Sequence, residues 1–379
     1  MKTELSLFDQ KLNLFRYPVR KNETLQAWDA GDEYLIQYIS EHYSAQPLKH
    51  ILIINDHFGA LTCWWAQQSK VTHVSDSYLA QQGAKANLRR NHIDDQAVDF
   101  ITTLDTLPDH VDLVLLVMPK INRHLVWILQ QLATQLPSHT PLIGVNKVKE
   151  IHTSTLNLIE KHFGQPTTSL AQKKHRLIFA HNEKTSTSIE ALTCWPVREY
   201  GITLANYANV YSGEKLDQGA RFMLEHLPET QKPLSIVDLG CGNGVLSVRV
   251  AQLCPNAHLT LVDESHMAVA SAKHNLTTNL PDDVREHRFL VNNCLEGYQG
   301  PLVDLILCNP PFHQQQAVTD HIAWQMFVDS HKALKPGGQL QVIGNRHLGY
   351  QQKLTRLFGQ QNVNIVASNK KFVIFLATK

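Results

Sequence analysis

The chain has little that would mark a membrane, secreted or metal-holding protein. Nowhere does it run to the roughly 18 consecutive apolar residues that a spanning helix needs. Its start, Met1-Lys2-Thr3-Glu4-Leu5, lacks the apolar stretch of a signal peptide. The six cysteines, Cys63, Cys194, Cys241, Cys254, Cys294 and Cys308, include no CxxC pair, which argues against a disulfide scaffold and a thiolate metal site. The 21 histidines contain no HExxH or paired-ligand spacing, so no metal is expected. Charged residues make up 18% against 43% hydrophobic, a balance that excludes a disordered chain and a long coiled coil. Neither sign of charge dominates, since 35 Lys plus Arg face 34 Asp plus Glu. These absences leave a cytoplasmic globular protein with reduced thiols and no membrane contact as the expectation. Its 379 residues allow two to three domains of roughly 150 residues each.

Internal similarity resolves the organisation. The stretch from His152-Thr153-Ser154 to His162-Phe163-Gly164 returns, over the same length, from His347-Leu348-Gly349 to Leu357-Phe358-Gly359. Gln172-Lys173-Lys174 followed by Leu177-Ile178-Phe179-Ala180 returns as Asn369-Lys370-Lys371 followed by Ile374-Phe375-Leu376-Ala377. Lys85-Ala86-Asn87-Leu88, closing at Asn91, returns as Lys273-His274-Asn275-Leu276, closing at Asn279. Asp29 and Gly31 return as Asp217 and Gly219. Several matches in one order indicate a tandem duplication, with domains at 1–185 and 190–379 and a polar linker over His181–Glu190.

Each half alternates short apolar runs with helix-period stretches, which predicts an α/β fold of two tandem doubly wound, Rossmann-like domains. In the second half the strand candidates are Ser235–Leu239, Leu259–Val262, Arg288–Val291, Leu302–Leu307, Gln339–Ile343 and Lys371–Ala377. Helix patterns fill Val245–Leu253, Met267–Asn275, His321–Leu334 and Tyr350–Phe358, and a turn near Asn369-Lys370 suggests an antiparallel hairpin at the sheet edge.

The chemistry-bearing residues gather in that half. Asp238-Leu239-Gly240-Cys241-Gly242-Asn243-Gly244 follows a strand and opens a helix. Glycines there permit a tight turn and let a ligand press against the backbone. The order is GxGxG rather than the GxGxxG of dinucleotide sites, which suits the amino-acid part of S-adenosylmethionine (AdoMet). Asp263 ends the next strand, where an acid can accept hydrogen bonds from ribose hydroxyls. Asn309-Pro310-Pro311-Phe312 directly follows an apolar strand, at the sheet edge that faces a ligand crevice. The Asn309 side chain and the Pro310 carbonyl can accept the protons of a planar amine, and Phe312 can stack on its ring.

At these residues the chain resembles class I AdoMet-dependent methyltransferases with the NPPF signature of exocyclic-amine enzymes. The duplicated layout is similar to the bacterial rRNA guanine-N2 methyltransferases, in which a degenerate first copy precedes an active second one. Asn309-Pro310-Pro311-Phe312-His313-Gln314-Gln315 and Leu216-Asp217-Gln218-Gly219-Ala220-Arg221 match that family generally. Leu14-Phe15-Arg16-Tyr17-Pro18, Leu25-Gln26-Ala27-Trp28-Asp29 and Asn55-Asp56-His57-Phe58-Gly59-Ala60-Leu61 look more like its large-subunit branch. The resemblance implies N2-methylation of one guanine in 23S rRNA, protein-free or partly assembled. It further implies that Asp238, Gly240, Gly242 and Asp263 hold AdoMet, that Asn293 contacts the adenine, and that Asp217 and Gly219 close over the cofactor. Asn309, Pro310 and Phe312 would hold the guanine, with His313 a secondary candidate. The 16S enzyme of the same architecture and a non-catalytic rRNA-binding assembly factor are the competing readings.

In the first copy Asn55 and His57 stand where Gly240 and Gly242 stand in the second, and Val117-Met118-Pro119-Lys120 replaces the NPPF run. Asp76 is the candidate for the ribose position. The balanced charge resolves into segments: residues 1–112 carry 10 basic and 15 acidic side chains, 113–182 carry 8 and 2, 183–329 carry 9 and 17, and 330–379 carry 8 and none. A basic excess in the later part of each copy fits phosphate neutralisation, and rRNA binding is the expected role of the first domain.

Overall fold

In the first half, apolar five-residue runs such as His50–Ile54 and Leu113–Val117 are buried on both faces, as central parallel strands require. A computed structural model describes residues 2–184, 189, 192–311 and 316–379, and the linker expected over His181–Glu190 lies partly outside them. The chain divides into units Met1–Ala191 and Leu192–Lys379.

The first unit runs β1 (Glu4–Leu7), β2 (Gln10–Asn13), α1 (Ala30–His42), β3 (His50–Ile54), α2 (Ala60–Trp65), β4 (Lys70–Val74), α3 (Tyr78–Arg90), β5 (Val98–Ile101), β6 (Leu113–Val117), α4 (Asn122–Gln135), β7 (Pro141–Lys147), α5 (Thr153–His162), β8 (Thr167–Thr168) and β9 (His175–His181). The second runs β10 (Thr193–Val197), β11 (Ile202–Asn206), α6 (Gln218–Leu224), β12 (Ser235–Leu239), α7 (Val245–Leu253), β13 (His258–Asp263), α8 (His266–Asn279), β14 (Arg288–Val291), β15 (Val303–Cys308), α9 (Gln316–Ala333), β16 (Leu334–Asn345), α10 (Tyr350–Phe358), β17 (Val363–Ser368) and β18 (Phe372–Thr378).

Each unit holds one seven-stranded sheet, ordered β5-β4-β3-β6-β7-β9-β8 in the first and β14-β13-β12-β15-β16-β18-β17 in the second. The two orders are the same pattern, parallel except for the sixth strand, β9 or β18, which runs antiparallel to both its neighbours. Side chains alternate between two apolar layers: Ile236, Leu305 and Leu307 enter one, and Val237, Leu239, Ile306 and Cys308 the other. The fold is thus α/β, doubly wound and duplicated.

Details depart from the sequence pattern. β18 lies between β16 and β17, so the final hairpin sits at the edge with its second strand inward. β16 begins at Leu334 because Lys335-Pro336-Gly337-Gly338 is absorbed by a register shift opposite Val303–Leu305. The hairpins β1–β2 and β10–β11 had no clear signal, since side-chain amides hold the chain beside them. Asn91 Oδ1 accepts from Asn13 N (2.7 Å) and Asn87 Oδ1 from Phe15 N (3.0 Å). In the second unit Asn279 Oδ1 accepts from Thr203 N (2.9 Å) and Asn275 Oδ1 from Ala205 N (2.7 Å).

Gly244 opens α7 at φ +76°, and a Cβ there would lie 2.9 Å from the Cα of Ala272 on α8. Gly201 has φ +64° but open space around it. Both Ala variants pay the left-handed penalty of roughly 1–2 kcal/mol, while Gly244→Ala also forces α7 from α8. Chemical denaturation should therefore show Gly244→Ala losing clearly more stability than Gly201→Ala. Equal losses would mean that the helix contact does not constrain the turn.

Candidate functional site

The carboxyl ends of β12, β13, β14 and β15 meet at one edge, with the strand order reversing between β12 and β15. That reversal opens a crevice in folds of this kind. At the end of β12, the N–H groups of Gly240 and Cys241 both donate to Val262 O (2.8 and 2.9 Å), and Gly244 N donates to Cys241 O (2.8 Å). Gly240 and Gly242 adopt φ +76° and +52°, where a side chain is disfavoured. No heavy atom lies within 4 Å of where a Gly242 Cβ would stand. The loop is therefore a half-buried backbone cradle, open at Gly242.

Asp263, the last residue of β13, is tied to that cradle. Its Oδ2 accepts from Gly242 N (2.9 Å) and its Oδ1 from Ser265 N (3.1 Å), joining the loop to the start of α8. Asn293 follows β14, and Asn292 N donates to Asp263 O (3.0 Å), so the next loop is anchored to the same residue. The buried Asn293 donates through Nδ2 to Glu296 Oε2 (2.7 Å). Asp238 faces the other way: the residue is 2% exposed and its carboxylate accepts from Ser247 Oγ (2.6 Å), supporting α7 beneath the loop.

Across the crevice, the Asn309 backbone oxygen lies 4.0 Å from the point a Gly240 Cβ would occupy. Asn309 Oδ1 is buried with no hydrogen-bond partner among the described residues, and Pro310 is buried behind it. An unsatisfied buried acceptor is costly, and a donor supplied by a ligand would relieve it. Phe312 and His313 lie outside the described residues. Asp217 caps α6 by accepting from Ala220 N (2.9 Å), with Gly219 buried in the first turn. Lys371 Nζ donates to Gln218 Oε1 (2.8 Å), which ties this helix start to the turn before β18. Sequence reasoning passed over Met326, whose Cε would lie 3.1 Å from a Gly240 Cβ; a helical Met carries no local signal. Burial raises the thiols of Cys241, Cys294 and Cys308, which keeps them neutral and poorly nucleophilic.

The first unit fills the corresponding space. Asn55 takes the left-handed turn of Gly240 at φ +62°, and its Nδ2 donates to Val117 O (3.2 Å), the carbonyl that corresponds to Asn309 O. Asp56, 1% exposed, accepts from the N–H groups of Gly59 (3.1 Å), Ala60 (3.1 Å) and Thr62 (2.8 Å). An internal carboxylate thus occupies the N-terminus of α2. The register corrects one expectation: Asp76 corresponds to Glu264, and Ser75 takes the Asp263 position, accepting through Oγ from Ser77 N (3.1 Å).

Comparison with known proteins agrees with this division. The family described as RLMG N-terminal domain matches residues 2–184, and that described as Methyltransferase small domain matches residues 201–376. The chain is 59% identical over 380 residues to "Ribosomal RNA large subunit methyltransferase G" of Vibrio vulnificus strain YJ016, covering 100% of both chains. It is 55% identical to the protein of that name from Aliivibrio fischeri strain MJ11, covering 100% of this chain and 99% of the relative. Among solved structures, the "T. Thermophilus 16S rRNA N2 G1207 methyltransferase (RsmC) in complex with AdoMet and Guanosine" superposes with a TM-score of 0.78 at 18% identity, over 100% of this chain and 97% of that one. This last likeness speaks for the fold.

Burial raises the Asp238 carboxyl to about 6, against the opposing pull of the Ser247 hydroxyl. A free aspartate titrates near 3.9, so between about 4 and 6 the folded protein holds this proton more tightly than the unfolded chain. Stability from this group is present at low pH and is lost as pH rises through about 6. The unfolding free energy of Asp238→Asn minus that of the parent should grow by on the order of 3 kcal/mol across that window. A difference independent of pH would contradict this account of Asp238.

Proposed function

The chain belongs to the ribosomal RNA large subunit methyltransferase G family, and from that premise we propose that its second unit methylates the N2 amine of one guanine in 23S rRNA. AdoMet, when bound, supplies an electrophilic methyl group on a positively charged sulfur. The half-buried backbone of Gly240 and Gly242 suits its amino-acid end, Asp263 its ribose and Asn293 its adenine, while Asp238 braces the loop from below. Asp217 and Gly219 close the site from α6. The observation that carries the reading is the unpartnered Asn309 Oδ1 across from the glycine loop. With the Pro310 carbonyl it accepts the two N–H bonds of the guanine amine, and Phe312 stacks on the ring. Two acceptors on one amine draw its lone pair out of conjugation and orient it for in-line attack. The residues act by positioning and polarisation, with no covalent enzyme intermediate.

The target base must leave its stack to reach this pocket, so protein-free or partly assembled large-subunit rRNA is the favoured substrate. The first unit serves as its docking module. Lys120, Lys147, Lys149, Lys173 and Lys174 are exposed and stand at or just beyond the carboxyl end of β6, the carboxyl end of β7 or the β8–β9 turn, where phosphates can be neutralised. Lys173 and Lys174 form a two-residue turn at φ +45° and +67°, closed by Gln172 N to His175 O and the reverse, both 2.9 Å. Such turns prefer Asn-Gly, and left-handed lysines cost roughly 1–2 kcal/mol each. Strain held at an exposed basic tip supports a binding role.

Two experiments test these assignments. With labelled AdoMet, methyl label should enter 23S and not 16S rRNA, Asp263→Ala should abolish measurable AdoMet binding by calorimetry, and Asn309→Ala should bind AdoMet normally while losing on the order of 10²-fold in turnover. Label confined to 16S rRNA would overturn the subunit, and a parent that does not bind AdoMet would overturn the activity. Replacing Lys173-Lys174 by Asn-Gly should raise the melting temperature while weakening rRNA binding and lowering its salt slope by roughly one to two. Unchanged affinity and slope would remove this turn from the docking surface.

A further inference from the structure

The last residue of β16, Asn345, stands where an asparagine has an ordinary use. It occupies the N-cap position of the 3₁₀ turn Arg346–Leu348, with backbone φ −66° and ψ +142°. Asparagine is favoured at such positions because its side-chain oxygen can accept an N–H of the turn that follows. Asp217 does this at the start of α6 and Ser265 at the start of α8. The Asn345 side chain makes no capping hydrogen bond. Its Oδ1 is buried, with no partner among the described residues. A buried acceptor without a donor costs free energy, so general stability does not account for it.

Its place in the sheet does. Asn309 Oδ1, the acceptor proposed above for the target amine, is likewise buried and unpartnered, and it follows the neighbouring strand. The ladder pairs Leu307 with Gln341 and Cys308 with Val342, so Asn309 comes level with Ile343, two residues before Asn345. One strand spacing across the sheet and two residues along it put the two Cα atoms about 8 Å apart. Alternation also gives both asparagines one face. Leu305, Leu307 and Ile343 enter the same apolar layer, and Asn309 and Asn345 are the next positions on that face. Two short amides with unused oxygens therefore stand side by side at the carboxyl edge. The first unit has neither, since its matching ladders put Val117 at the Asn309 position and Lys147 at that of Asn345. The copy whose cradle is filled lacks both acceptors.

We propose that Asn345 is a specificity-determining residue that reads the target base next to its reacting amine. Asn309 Oδ1 and the Pro310 carbonyl take the two N–H bonds of the guanine amine. Asn345 Oδ1 accepts the N–H at ring position 1, the adjoining donor on the same edge of the base. Adenine has no proton at that position and turns a lone pair toward the acceptor. A site built around a donor rejects a base that lacks it, because its own buried acceptor then stays unpaired. The proposal rests on the guanine reading given above.

The test uses the full-length chain and, once labelling has located the methylated guanine, large-subunit rRNA fragments ligated with guanine or 2,6-diaminopurine at that position. Diaminopurine keeps the 2-amine but has no proton at ring position 1, and its altered position 6 is common to parent and variant. The parent should prefer guanine by roughly 10²-fold or more in kcat/KM. Asn345→Ala should lose on the order of 10²-fold on guanine and little on diaminopurine, so that its preference falls below about tenfold. Its AdoMet affinity by calorimetry should equal the parent's, and its melting temperature should match or exceed it, since an unpaired acceptor is removed. Asn345→Asp, which keeps an oxygen acceptor, should hold guanine activity within about tenfold of the parent. If Asn345→Ala does not fold, Asn345→Ser, too short to reach the base but still able to cap the turn, takes its place. Equal losses on the two bases, an unchanged preference, or a parent that uses both bases alike overturns this proposal and leaves the guanine reading standing. A parent that methylates neither fragment, or labels another base, overturns both.

Discussion

An asparagine amide offers two donors and an acceptor in one plane, and α8 uses that capacity to pair a helix with an extended strand. Ser271, Asn275 and Asn279 form a stripe of every fourth residue, and they receive Tyr207 N (3.0 Å), Ala205 N (2.7 Å) and Thr203 N (2.9 Å), every second residue of the chain at β11. The match is metric: four helical residues rise about 6 Å and two strand residues about 6.6 Å. Asn275 is fully buried and its Nδ2 also donates to Asn243 O in the glycine loop (2.9 Å). One amide thus fixes a strand, a helix and the loop that forms the cradle. The first unit repeats the device, with Asn91 and Asn87 receiving Asn13 N and Phe15 N and with Asn87 donating to Phe58 O (2.8 Å).

Because this frame is common to both units, their difference lies in a few side chains within it. Thr62 and Ser247 occupy matching places at the start of α2 and α7, and each donates its hydroxyl to a buried acid. In the second unit that acid, Asp238, lies on the strand below the loop and leaves the loop's surface bare. In the first it is Asp56, inside the loop, where it takes the N–H groups that a ligand would otherwise meet. Asn is among the residues that best tolerate the left-handed region, so Asn55 keeps the Gly240 turn while its side chain bridges to Val117 O. The turn survived in the backbone and closed in the side chains.

How far this could be read in advance depended on what each element uses as its signal. β12, β14, α7 and α10 carry strong local periodicity, and their expected limits coincide with Ser235–Leu239, Arg288–Val291, Val245–Leu253 and Tyr350–Phe358. The repeated Asn87/Asn91 and Asn275/Asn279 were visible as a pattern, but their partners lie some seventy residues away, a distance that no local window spans. The glycine positions and Asp263 were legible because backbone conformation and strand-end placement dictate them. Asp238 was legible as a motif residue but not as one facing Ser247, since orientation on a strand depends on which face the helix covers. Asp76 misled by one residue, because a strand end is defined by hydrogen-bond register and Ser75 carries no charge to announce it.

The distribution of charge follows from the same sheet geometry. Asp263 places an acid at the carboxyl edge of β13, where it would repel an RNA backbone. Arg346 and Lys371 stand beyond the end of β16 and just before the start of β18, linked by Arg346 N to Lys371 O (3.1 Å). In the order β13-β12-β15-β16 this is three strand spacings away, about 14 Å. The screening length at physiological salt is about 8 Å, so acid and base at that separation act almost independently. One edge can therefore hold a carboxylate-lined pocket at the strand-order reversal and a cationic rim on its outer strands. In the first unit the pocket is filled, Lys174 takes the place of Lys371, and Val148, whose N–H donates to Lys174 O (2.9 Å), takes that of Arg346. Even there the basic turn is not free of acids, since Lys173 Nζ pairs with Glu33 Oε2 at 2.7 Å.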